Sequence, residues 1–131
     1  MIPAKDLRLI ARARLRDAKV LLEANRSDSA IYLCGYAVEL ALKARICRTL
    51  KWPGFPETAG EFKGLQSFKT HDLAVLLSLS GIDLRVKARY GIEWNGVVGW
   101  NPEDRYRPAG QTEPHEAAYM VKCAKRLLDV L

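Results

Sequence analysis

The sequence predicts an all-α protein: a four- to five-helix up-down bundle with two long antiparallel helices and a long irregular loop before the last helix. Three observations carry that expectation. Apolar residues recur at three- and four-residue spacing over long stretches. No stretch alternates with the two-residue period of a strand over a convincing length. Proline and glycine gather between the periodic stretches rather than inside them. At 131 residues and 49% hydrophobic composition the chain has the size of one domain, so residues 1–131 read as a single unit.

The first helix is expected over residues 4–24, where Leu7, Ile10, Ala11, Ala18, Leu21 and Leu22 share one face. At about 100° per residue, Lys5, Arg8, Arg12, Arg16 and Lys19 fall within roughly 80° on the other side and form a basic ridge. Arg14 falls inside the apolar arc and needs a partner or an interface. "NRSDS" breaks the pattern, and Ser27 or Ser29 is placed to cap a second helix running to about residue 50. "KWPGFPETAGEFKG" ends that helix as a loop, with residues 51–67 the expected place for disorder. Thr70 is expected to cap a short helix whose Leu73, Leu76 and Leu77 face the core, stopped by Gly81. Asp83 opens another short helix to about residue 89. The segment "YGIEWNGVVGWNPEDRYRPAG" reads as a long irregular connection, with Trp94 and Trp100 as apolar plugs. Thr112 and Pro114 open the last helix, whose stripe is Ala117, Met120, Val121, Ala124, Leu127, Leu128 and Leu131.

Composition narrows the function classes. Cys34, Cys47 and Cys123 lie in helical patterns without CxxC or histidine at ligand spacing, so they read as core residues rather than disulfides or metal ligands. No metal or cofactor is expected. No leader-like or membrane-spanning apolar run is present, and a cytoplasmic location is expected. Twenty-one Lys and Arg against fifteen Asp and Glu leave a net charge of +6, which suits phosphate-bearing or acidic partners.

Within the second helix Tyr32, Tyr36, Glu39 and Lys43 are spaced four, three and four residues apart, within roughly 60° of azimuth. This polar stripe lies on an otherwise apolar rod. A buried unpaired charge costs several kcal/mol, so the stripe must meet polar groups or a cleft. One arrangement pairs Glu39 with Lys43 or Arg105; another lines a groove where Lys43 and a loop arginine receive phosphate oxygens. Arg105, Tyr106 and Arg107 of "EDRYRP" combine two guanidiniums with a ring suited to stacking, or else tether the loop. His71 reads as a first-turn residue making a local hydrogen bond.

The segments "DSAIYLCGYAVELALKARI", "THDLAVLL" and "EDRYRP", in that order, resemble the HEPN domain family. The resemblance implies a helical bundle, usually dimeric, that binds RNA or nucleotides. Some members are ribonuclease toxins, and others work beside a minimal nucleotidyltransferase. The ribonuclease members carry an Arg followed by His after four to six residues, and this chain departs from that signature. His71 has no such arginine, and seven residues separate Arg107 from His115. The chain is therefore read as a homodimeric binding module for RNA, nucleotide or a nucleotidyltransferase partner, of toxin–antitoxin or defence type. The alternatives are a ribonuclease with a displaced pair, Arg107 with His115 or Arg105 with His71, and a structural assembly protein.

Overall fold

The computed structural model describes residues 1–131. In chain order it contains β1 (Ile2–Pro3), α1 (Ala4–Glu23), α2 (Ser27–Leu50), β2 (Gly54–Phe55), α3 (Leu73–Leu79), α4 (Asp83–Arg89), α5 (Gly91–Val97) and α6 (Pro114–Val130). Two 3₁₀ turns, Gln66–Phe68 and Pro102–Tyr106, lie in the connections. The protein is mostly helical as expected, with six α-helices rather than four or five.

The organising element is α2. Ala30, Cys34, Ala37, Val38, Leu42, Ala44, Ile46 and Cys47 are all essentially inaccessible, and they point in every direction around the axis because α1, α3 and α6 cover it from different sides. α1 runs back along α2. Its start meets the end of α2, where Ala4 N–H donates to Pro53 O at 3.1 Å, and Leu7, Ala11, Leu15 and Ala18 bury its inner face. Ile10, Leu21 and Leu22, placed on that face by their spacing, are only partly covered, and Leu15 takes the central position. α6 lays Ala117, Met120, Val121, Ala124, Leu127 and Leu128 on the same core.

Four local expectations are corrected. Neither Ser27 nor Ser29 caps α2; its N-cap is Arg26 and no side chain caps it. Asp28 instead accepts the Gly110 N–H at 2.7 Å and the Thr112 N–H at 3.2 Å, tying the loop before α6 to the start of α2. The cap of α3 is Asp72, which accepts from Ala74 and Val75 N–H, while Thr70 Oγ1 accepts from Asp72 N–H one step earlier. The segment 51–67 has a core of its own. β2 pairs antiparallel with β1, Ile2 opposite Phe55, and Trp52, Phe55, Phe62 and Phe68 pack with ring centroids 5.0–6.5 Å apart. Finally, the segment before α6 is not irregular throughout, since it contains α5 and the capped turn Pro102–Tyr106.

Trp94 and Trp100 are both buried, and Trp100 matters most for the site. Its indole lies directly on the backbone of α2 at Gly35, where a Cβ would overlap the ring atoms Cγ, Cδ1 and Cδ2. Only glycine permits that approach. The contact anchors the chain just before Asn101, whose side chain accepts from Glu103 N–H and starts the turn bearing Arg105 and Arg107.

Candidate functional site

The four residues of the α2 stripe divide between two places. At the N-terminal end, Tyr32 packs against Trp100 with centroids 6.2 Å apart. Arg105 sits beside the phenol oxygens of Tyr106 and Tyr32, which raise its pKa, Tyr106 more than Tyr32. Its guanidinium lies 4.8 Å from the centre of the Tyr106 ring. A guanidinium stacked over one tyrosine ring is a cation–π unit with its N–H groups left for a ligand.

This unit borders a cleft of about 580 Å³ between the start of α2 and the 104–116 segment. Tyr32, Arg105 and Arg107 line it with Arg26, Asp28, Asp104 and Glu116. The opposing charges are not equally available. The Asp28 carboxylate is taken by the Gly110 and Thr112 N–H groups, which lower its pKa, Gly110 foremost. Asp104 holds Arg107 at 3.1 Å. Arg26 and Arg105 make no ion pair, and Glu116 is the unpaired carboxylate of the lining.

At the other end, Glu39 is 1% exposed and bonded to His71 Nδ1. The link spans from the middle of α2 to the residue before the α3 cap, so His71 is not a first-turn residue with a local bond. Nor is Arg105 the partner of Glu39. Lys43 Nζ stands 3.9 Å from the same carboxylate oxygen and 5.2 Å from the centre of the Phe55 ring. Burial lowers the Lys43 pKa, and the Glu39 charge opposes that. Tyr36 lies between the two ends. Burial raises its pKa first, the Glu39 carboxylate second, while Arg14 acts in the opposite sense. Arg14, which needs a partner, lies 3.2 Å from Asp17 on its own helix, yet its Nε is shielded from solvent and makes no hydrogen bond.

The remaining candidates are dispersed. His115 is exposed on the first turn of α6 and makes no ion pair, and Arg107 is turned to Asp104. His71 is bonded to Glu39 and Arg105 stacks on Tyr106, and no hydrogen bond joins Arg107 to His115 or Arg105 to His71. On the α1 ridge Lys5, Arg8, Arg12 and Arg16 are exposed and Lys19 is half-buried. Arg12 is used structurally, donating to Asp129 at 2.9 Å and to Leu128 O at 3.0 Å on α6. No group of His, Cys, Asp and Glu is placed to hold a metal ion, and no helix is long and apolar enough to cross a membrane.

Sequence reasoning passed over Arg26, Arg45, Arg48 and Arg85. Arg45 and Arg48, three residues apart at the end of α2, share an azimuth within roughly 60°, a signal that was open to reading. The approach of Arg85 from α4 had no local signature.

The HEPN domain family model matches residues 4–60, which comprise α1, α2 and the start of the following loop, and the resemblance to that family holds over this segment. No curated protein and no solved structure gives a significant match.

Proposed function

We propose that this protein is a HEPN-type binding module that receives a phosphate-bearing ligand, RNA or nucleotide, in the cleft beside Tyr32 and Arg105, working as a homodimer or beside a nucleotidyltransferase partner. The observation that carries this reading is Arg105: a guanidinium at the edge of a 580 Å³ cleft, stacked over the Tyr106 ring and unspent on any carboxylate. Tyr106, 71% exposed, offers its ring to a base next to that cation. The HEPN match supports an RNA-related or nucleotidyltransferase-associated role of toxin–antitoxin or defence type.

Binding of a tRNA-sized RNA at several salt concentrations tests it. Affinity should fall with salt, and Arg105→Ala should weaken binding about tenfold, the worth of one charge-assisted phosphate contact. No affinity at low salt removes the nucleic-acid reading. Retention of a co-expressed nucleotidyltransferase without RNA affinity identifies the partner version, and sedimentation measures the dimer.

One observation favours ribonuclease chemistry as a second reading. A buried carboxylate holds His71 Nδ1, while the His71 side chain is 67% exposed, so Nε2 faces outward as a base toward a 2′-OH would. The cation beside this histidine is Lys43 rather than Arg105. Growth arrest on expression, relieved by His71→Ala and not by His115→Ala, supports this reading; equal growth of wild type and variants rejects it.

A further inference from the structure

At the far end of α2 from the cleft, Arg45 is half-buried and its Nε is shielded from solvent without any hydrogen-bond partner. Burial lowers the Arg45 pKa, and the positive charges of Arg48 on the same helix, Arg85 on α4 and Arg8 on α1 lower it further. The packing explains the convergence. Thr49 Oγ1 donates to Ser80 O at 2.6 Å, which seats the α3–α4 turn against the end of α2, five residues before Arg85. Arg8 lines a small hollow with Ala41, one helical turn before Arg45. Arg8, Arg48 and Arg85 are exposed. None of the four forms an ion pair, although Asp83 lies two residues from Arg85 and other arginines of the chain do find carboxylates.

Arginines at a helix C-terminus are ordinarily explained by the helix dipole. That accounts for Arg45 and Arg48 and leaves Arg8 and Arg85, from two other helices, unexplained. Like charges gathered without a counter-charge destabilise the fold unless an anion joins them. We propose that Arg8, Arg45, Arg48 and Arg85 form a phosphate-binding site, distinct from the cleft at Arg105, that takes the oxygens of an RNA backbone or of a free polyphosphate. Guanidinium forks suit that chemistry better than lysines, because each can grip two phosphate oxygens.

The test uses the full chain, Arg48→Ala/Arg85→Ala as the site variant and Arg105→Ala as the control. The two site positions are exposed, so folding should be kept. Inorganic tripolyphosphate at low salt should raise the melting temperature of wild type and of Arg105→Ala by several degrees, and leave the site variant unmoved. RNA titrations then separate the sources. If the backbone binds here, the slope of log K against log salt should become shallower by about 1.4, two arginines at about 0.7 each. An unchanged slope with tripolyphosphate protection assigns the site to a free polyphosphate. The proposal is overturned if tripolyphosphate fails to protect wild type or if it protects the site variant equally.

Discussion

Gly35→Ala adds one methyl group where the Trp100 indole lies, and two responses are open. If the indole stays, α2 and the 98–101 segment must part, an overpacking strain of about 1–3 kcal/mol that should sit at the upper end given overlap with three ring atoms. If the indole leaves, a tryptophan now 8% exposed loses its burial. At about 150–250 Å² and about 25 cal/mol per Å², expulsion costs about 4–6 kcal/mol. Alanine returns about 1 kcal/mol through its better helix propensity. The net loss should be about 2–4 kcal/mol, or roughly 7–15 °C in melting temperature for a chain of this size. Denaturant and thermal unfolding measure it, and a second background makes the test discriminating. With Trp100→Ala already present there is nothing to overlap, so Gly35→Ala should become neutral or stabilising by up to about 1 kcal/mol. A wild-type background that tolerates Gly35→Ala, or an equal loss in both backgrounds, would refute the proposed contact. Because Tyr32 and the Arg105 turn hang on this anchor, RNA affinity should fall with stability in Gly35→Ala.

Three other outcomes are expected. Asp28→Ala should free the Gly110 and Thr112 amides, seen as loss of their hydrogen-exchange protection, with about 1–2 kcal/mol lost globally. The same carboxylate has a lowered folded-state pKa, so its contribution is present above the ordinary aspartate range and fades as pH falls through the folded value; amide protection followed through acid titration should show this. His71→Ala should destabilise by about 2 kcal/mol, since it leaves a buried Glu39 without its hydrogen-bond partner, and Glu39→Gln should render the same change much milder in a double-mutant cycle. Arg12→Ala should cost about 1 kcal/mol by releasing α6 at Asp129 and Leu128, an exposed tether.

Periodicity exposed what depends on one helix at a time. The extents of α1, α2 and α6 and the alignment of Tyr32, Tyr36, Glu39 and Lys43 follow from spacing, because a helical azimuth is a local property. What the stripe meets is not local. The choice of His71 over Arg105 for Glu39 depends on how a loop of some twenty residues returns α3 to the side of α2. Glycines and prolines marked that loop as irregular but concealed its aromatic core of Trp52, Phe55, Phe62 and Phe68. Gly35 was visible only as one residue of "DSAIYLCGYAVELALKARI". Its physical role emerged when an indole sixty-five positions later was found against it.

The division of the stripe changes what α2 is built to do. A single groove would have required Tyr32 and Lys43 to face the same space. Instead the helix places an arginine–tyrosine unit at one end, a carboxylate-held histidine in the middle, and uncompensated arginines at the other. Arg26 and Arg48 are about 33 Å apart along the axis at 1.5 Å per residue, a separation no mononucleotide bridges. If one ligand uses both ends, it must be a polymer, and its affinity should then drop by more than either site's own contribution when the strand is shortened below that span. A nucleotide that binds as tightly as a long RNA would instead mean that the two ends serve different ligands. Strand length, titrated against the Arg105→Ala and Arg48→Ala/Arg85→Ala variants, therefore distinguishes one continuous RNA path along α2 from two independent anion sites.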